Sequence, residues 1–497
     1  MCRICTKALV SVFASAQYLF FITIVQYVLL SSQLYAVDKP AQAKRPRNII
    51  LVIGDGMGPQ QVGLALAFAQ RAKQRKLTAA FEHYTENSAV GIHLPFPSGS
   101  LVNDSACSAT MLSSGSSCTP GQLGIDEHGN KVESVVSTAK KFGKRVGLIS
   151  DTRITHATPA AFAVHVNHRS QESDIAEQII TLNPIDLLFS GGLSFFVPAA
   201  KTEEDMKKFV SSEAVSPRQN GHQLLLTAKE RGYKTIFNQA GLGSLTQLPA
   251  LGLFAASDMQ NAFIEGTQDQ PTLAAMTEKA LALLDNPKGF FLMVESGQID
   301  WAGHQNDPGW LLRELIRLSS VLQVIEDFSK DRQDTLVIMT ADHETGGFGF
   351  SYDSKGGYTS DTTLDLLYQQ SRPIQEMLPE FAALEASERT LETLIELVHR
   401  YTGVQLEHQQ GARVLACFEN PESLSDCDRE SPLSEKAISA SIMLGRAVSA
   451  HFGVVWATGG HTSTPVLIFS QGPAAQVFAK QLNTPQFGVL LKQLVAH

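Results

Sequence analysis

Short apolar runs, each closed by a polar or glycine-rich cluster, constrain this chain most. They are NIILVI at Asn48–Ile53, VGLIS from Val146, IDLLFSGG from Ile185, GFFLMVE from Gly289, DTLVIMTADHE from Asp334 and PVLIFS from Pro465. Continuous apolar runs of this length, without polar alternation, are the pattern of strands buried on both faces. Helical patterns lie between them. Asp307 and Pro308 form an N-cap and first-turn pair ahead of Leu311, Leu312, Leu315, Ile316, Leu322 and Ile325, and TLETLIELVHR runs from Thr390 to Arg400. Alternating strands and helices predict an α/β fold: a three-layer αβα sandwich with a large, mostly parallel central sheet. That domain is expected over residues 48–497. Residues from about 350 to 455 hold no comparable strand run and read as an inserted cap region.

Composition narrows the function classes. With 43% hydrophobic and 18% charged residues in 497, the chain is neither wholly disordered, nor collagen-like, nor a polytopic membrane protein. Its formal net charge of -9 offers no basic excess to neutralise a nucleic-acid backbone, so nucleic acid is not expected as a principal partner. A small anionic substrate stays open, because bound metal inverts local charge.

The first residues read as an export signal. Arg3 and Lys7 precede an apolar stretch from Ala8 to Leu30, and Ser31, Ser32 and Ala36 are small residues suited to cleavage. Residues 1–36 are expected to leave, followed by a flexible lead-in over 37–47; the alternative is an uncleaved membrane anchor. The mature protein is then periplasmic or secreted. Cys2 and Cys5 leave with the signal. Of the remaining four, Cys417 and Cys427 are expected to form a local bridge in an oxidising compartment, with Cys107 and Cys118 either paired or free.

In open α/β sheets ligands bind at the carboxyl ends of strands, which directs attention to the residues after each run. Asp55 follows NIILVIG, Glu295 follows FFLMV, Asp342 and His343 follow LVIMTA, and His461 stands in GGHTSTP ahead of PVLIFS. Asp300 and His304 are one helical turn apart, so they share a helix face. One aspartate after a strand is ordinarily a cap or loop residue. Four carboxylates in one cleft repel each other unless cations are present. Mixed carboxylate and imidazole donors suit zinc, and a carboxylate and hydroxyl set suits magnesium. A separate segment, VNDSACSAT at Val102–Thr110, places Ser105 at a predicted helix start, where free backbone N–H groups receive an anion. The simpler reading there is that Asp104 or Ser105 only caps the helix.

VIGDGMG, DSACSAT, THATPAAFAVHVNHR, VESGQIDWAGH, TADHE and GGHT occur in the order found in alkaline phosphatases, and the resemblance spans Asn48 to Ser470. It implies a metal-dependent phosphomonoesterase in which Ser105 becomes phosphorylated and Arg169, held by Asp104, clamps the phosphoryl oxygens. It further implies one Zn²⁺ on Asp300, His304 and His461, a second Zn²⁺ on Asp55, Asp342 and His343, and Mg²⁺ on Asp55, Thr158 and Glu295. Small phosphate monoesters would be the substrates, inorganic phosphate a product, and a homodimer the assembly.

On that ligand set, three divalent cations and Arg169 outweigh the charges of Asp55, Asp104, Glu295, Asp300 and Asp342 by two, which matches a monoester dianion better than a singly charged diester. The chain departs from the best-known bacterial pattern at His156, where that pattern has Asp, and at Trp301, where it has Lys. Both are expected in the shell around the third metal, tuning affinity and phosphate release. A diesterase or phosphonate monoesterase of the same superfamily, or a binding protein without turnover, are the alternative readings.

Overall fold

The computed structural model describes residues 45–496 apart from 72–75, 183–184, 199–215, 268, 353–356, 424 and 431–437. In it NIILVIG forms strand β1 (Asn48–Gly54), buried at every position. Its side chains alternate between two apolar cores, Ile50 and Val52 facing one and Ile49, Leu51 and Ile53 the other. The same alternation divides Leu292 and Val294 from Phe291 and Met293. A sheet with two buried faces needs a helical layer on each, which explains the apolar runs without polar alternation.

The other strands are β2 (Ala89–Leu94), β3 (Arg145–Arg153), β4 (Leu187–Gly191), β5 (Lys234–Ile236), β6 (Ala250–Leu253), β7 (Phe290–Ser296), β8 (Thr335–Thr340), β9 (Glu344–Thr345), β10 (Gly349–Phe350), β11 (Val454–Val455), β12 (His461–Thr462), β13 (Val466–Gln471) and β14 (Gln481–Asn483). Ten of them make the central sheet in the order β14-β2-β13-β8-β1-β7-β3-β4-β6-β5. All its pairings are parallel except those of β13, which runs antiparallel to β2 and β8.

Four helices matter for the site: α1 (Ser105–Ser114), α2 (Ala157–Ala161), α3 (Gln298–His304) and α4 (Pro308–Ser329). The N-cap read at Asp307 is present, its side chain accepting from Trp310 N with Pro308 in the first turn. The segment between β10 and β11 is mostly helical in its described parts, and its two ends pair antiparallel, Gly349 with Val455 and Phe350 with Val454. The chain therefore leaves and re-enters at one point. Leu394, Val398, Val414 and Met443 of that segment are continuous with the core on the Ile50 face. Cys417 bonds Cys427, as expected, and Cys107 bonds Cys118.

The leader read at residues 1–36 and most of the lead-in lie outside the described residues. Among the described residues, no helix is long and apolar enough to cross a membrane.

Candidate active site

Strand register brings the carboxylates together. Ile53 lies opposite Glu295 on β7 and opposite Thr340 on β8, so Asp55, Glu295 and Asp342 leave the sheet at one edge. Gly56, at φ +73, lets Asp55 turn there; a Cβ on it would come 2.8 Å from Asp300 Cα. His461 precedes its strand rather than following it. Because β13 runs against its neighbours, its start lies at the same edge where the parallel strands end.

Asp300 and His304 share one face of α3, with His304 Nε2 3.3 Å from Asp300 Oδ2 and His461 Nε2 3.5 Å from Asp300 Oδ1. His304 Nδ1 donates to Gly459 O and His461 Nδ1 to Asn103 O, leaving their Nε2 atoms facing each other at 3.1 Å. His343 Nε2 lies 3.3 Å from Asp342 Oδ2 and 3.6 Å from Asp55 Oδ1. Thr158 Oγ1, on α2, donates to Asp55 Oδ2 at 3.3 Å. Glu295 Oε2 accepts from Ser150 and Thr152.

Three donor groups follow, in each of which the ligand atoms lie within 4.8 Å of one another: Asp300, His304 and His461; Asp55, Asp300 and His343; and Asp55, His156 and Glu295. The second and third groups differ from the sequence-based expectation, the second holding Asp300 where Asp342 was expected and the third holding His156, which was expected around the donor set. The segment before α2 turns its imidazole inward, where it is buried, while Trp301 stands edge-on to it at 6.2 Å.

The donor set fits cations on two independent grounds. Among the described residues, the carboxylate oxygens Asp55 Oδ1, Asp342 Oδ2 and Glu295 Oε1 are buried with no hydrogen-bond partner, a costly state for polar atoms unless something binds them. The protonation balance agrees. Burial, followed by the charges of Asp342, Asp300 and Glu295, holds Asp55 well above the usual carboxylate range. Burial pushes Glu295 up to about 8, and burial with the Asp300 charge pushes Asp342 up to about 6. His343 is held well below the ordinary imidazole range by burial and then His461, so its ring is neutral at physiological pH.

Ser105 opens α1, and Asp104 caps it by accepting from Cys107 N at 3.1 Å. Asp104 is therefore the cap, and Ser105 stands at the first position of the helix. Ser105 Oγ lies 3.3 Å from His343 Nε2. Arg169 donates from one guanidinium nitrogen to Asp104 Oδ2 at 3.3 Å and from another to His156 Nε2 at 3.1 Å. Its side chain is 28% exposed.

Sequence reasoning missed the groups that fix the carboxylates. Ser150 and Thr152 stand in the polar end of the VGLIS run, where the strand-end rule points, and Thr345, which donates to Asp300 Oδ1, follows TADHE directly.

Comparison with known proteins agrees with this arrangement. The family model for alkaline phosphatase matches residues 46–495. The chain is 29% identical to alkaline phosphatase 3 of Bacillus subtilis over 450 residues, covering 88% of this chain and 87% of that one. It is 28% identical to the repressible alkaline phosphatase of Saccharomyces cerevisiae over 478 residues, covering 89% and 79%. Among solved structures, the Thermus thermophilus alkaline phosphatase superposes with a TM-score of 0.78 at 26% identity over 93% of each chain. The cold-active enzyme of Shewanella sp. gives 0.71 at 26% identity over 90% of this chain and 99% of that one. With a family match over nearly the whole described chain and the motif residues gathered at one sheet edge, the chain belongs to the alkaline phosphatase family of phosphoric monoester hydrolases.

Proposed function

We propose that the protein hydrolyses small phosphate monoesters through a phosphoserine at Ser105, releasing an alcohol and then inorganic phosphate. The observation that carries this is the position of Ser105 Oγ, at a helix start and 3.3 Å from His343 Nε2, beside buried carboxylate oxygens that have no partner. Asp300, His304 and His461 would hold one Zn²⁺, Asp55, Asp342 and His343 a second, and Asp55, Thr158 and Glu295 a Mg²⁺. Bound there, the ions supply Lewis-acid stabilisation of the attacking and departing oxygens and lower the pKa of water.

The protein's own groups do the rest. Ser105 Oγ attacks phosphorus, losing its proton as the O–P bond forms; the ester oxygen departs opposite and takes up a proton to become the alcohol. Water then attacks phosphorus opposite Ser105 Oγ, losing a proton as its O–P bond forms, while the Ser105 O–P bond breaks and Oγ takes a proton back. Two inversions give net retention. Arg169 binds two phosphoryl oxygens with a planar fork that Lys cannot reproduce, and Asp104 and His156 hold that fork in place. The N–H groups at the start of α1 favour the anion further.

The reading extends to an exported homodimer with a cleaved leader over residues 1–36 and a cap over about 350–455. Family membership supports the assembly, and the pairing of β10 with β11 supports the insertion.

The test is hydrolysis of p-nitrophenyl phosphate beside its bis ester, by chelator-stripped protein before and after zinc and magnesium are added, with acid-quenched mass spectrometry of the Ser105 peptide. Restored activity favouring the monoester, with phosphoserine trapped at Ser105, is expected. Preference for the diester, or no phosphoserine at full metal loading, rejects the proposal.

A further inference from the structure

The disulfide Cys107–Cys118 closes a ring of contacts around Asp104. Cys107 is in the first turn of α1, two residues after Ser105, and both half-cystines are fully buried. Asp104 Oδ1 accepts from Cys107 N and from Gly121 N, each at 3.1 Å, while Asp104 Oδ2 accepts from Arg169. Gly121 O in turn accepts from the Arg169 backbone N at 2.8 Å. Leu123 and Val166 exchange two further backbone bonds. The segment from Cys118 to Leu123 thus supports Arg169 on its main-chain side, and Asp104 holds the guanidinium on the other.

That segment contains little regular structure to make it rigid. Gly121 sits at φ +88, and a Cβ there would come 3.2 Å from the His168 ring. Thr110 of α1 also ties the segment, its Oγ1 donating to Gln122 O at 3.3 Å and accepting from Gly124 N at 3.0 Å, while Ser98 N donates to Cys118 O at 3.1 Å and Glu127 N to Ser117 O at 3.0 Å. Cys118 is the covalent tie to the helix that starts with Ser105, on the N-terminal side of Gly121, and Thr110 the hydrogen-bonded tie on its other side. A cross-link restricts the conformations open to a loop, and a preset guanidinium loses less freedom when it takes up an anion.

We propose that the Cys107–Cys118 disulfide is a positioning device for Arg169, fixing through Gly121 the phosphoryl-binding geometry beside Ser105. Its consequence is phosphate affinity that depends on the oxidised bridge. The inference rests on the assignment of Arg169 as the phosphoryl clamp.

The experiment is a double-mutant cycle on metal-saturated protein, with inorganic phosphate as the probe. The variants are Cys107→Ala with Cys118→Ala, Arg169→Ala, and all three together. Losing the bridge should raise the phosphate inhibition constant about three- to tenfold, with kcat changed less than about twofold. In the Arg169→Ala background the same loss should change it less than about 1.5-fold. Removing the other bridge, Cys417→Ala with Cys427→Ala, should leave it unchanged. An equal proportional rise in both backgrounds, or no rise with Arg169 present, overturns the proposal. If Arg169→Ala alone leaves the constant unchanged, the clamp assignment itself fails. Should the cysteine variant not fold, Gly121→Ala perturbs the same link with the bridge intact, and the same dependence on Arg169 decides.

Discussion

His304 Nε2 and His461 Nε2 face each other at 3.1 Å, each ring anchored by Nδ1 on a backbone carbonyl. A carbonyl only accepts, so each Nδ1 carries a proton and both Nε2 lone pairs point at one place, with Asp300 beside it. Two lone pairs so close repel unless a cation lies between them. In metal-free protein a proton serves: against burial, the Asp300 charge lifts His304 up to about 9.

His461→Ala should accordingly remove about one zinc equivalent per chain and lower kcat/KM by more than about 100-fold at ordinary metal concentrations. Elemental analysis of dialysed protein reads the first and p-nitrophenyl phosphate hydrolysis the second. Full zinc content in the variant would contradict the assignment.

Arg169 donates to two different partners, Asp104 and His156, from two nitrogens. Charge-assisted bonds of this kind contribute roughly 1.5–3 kcal/mol each. Arg169→Ala should therefore lower kcat/KM about 10- to 100-fold, with a matching rise in the phosphate inhibition constant. Arg169→Lys should recover little, since a point charge cannot meet Asp104, His156 and a phosphoryl group in one plane. Full recovery by Lys would show that charge alone matters there.

Much of the site is legible in the sequence because its ligands follow buried strands, and buried strands announce themselves. Asp55, Glu295 and Asp342 are read directly from NIILVIG, FFLMVES and TLVIMTADH. His461 is harder, since it comes before a strand; only the reversed direction of β13 brings it to the same edge, and period-2 patterning carries no direction. His156 lies near Asp55 and Glu295 and accepts from Arg169, and nothing local in the sequence tells which way an imidazole ahead of a short helix turns. The clamp around Gly121 was invisible, because it consists of backbone bonds between segments distant in sequence.

Metal removal should change the pH dependence of stability. Burial raises Glu295 to about 8 and Asp342 to about 6 in the folded, metal-free chain, above their unfolded values. The folded state then binds protons that the unfolded state has released, so this contribution is fully present below about pH 4 and is lost as pH rises through 6 and then 8. Apo protein should lose roughly 2 to 5 kcal/mol relative to holo protein between pH 5 and 9. Calorimetry of the two forms across that range measures the gap. A constant difference between the curves would mean that these carboxylates share no buried cluster.

Behind the site, Arg317 on α4 is the cation of a buried group. It lies 2.8 Å from Asp151, 2.9 Å from Glu314 and 3.3 Å from Glu265. Asp151 also accepts from Gly297 N at 2.6 Å, two residues beyond Glu295, so the group anchors the loop that carries a proposed metal ligand. Burial has already lifted Glu314 to about 7 despite Arg317. Removing the cation by Arg317→Met leaves the two buried carboxylates, Asp151 and Glu314, to stay folded by taking up protons, and a buried pair broken from one side costs about 3–5 kcal/mol. The sign of the pH effect follows: folded-state pKa values rise further above the unfolded ones, so stability is lost as pH increases. Urea denaturation with metals saturating should show a loss of about 3–5 kcal/mol at pH 8.5 and a smaller one at pH 5.5. Equal losses at both pH values would mean that Arg317 acts through packing and that Asp151 and Glu314 do not depend on its charge.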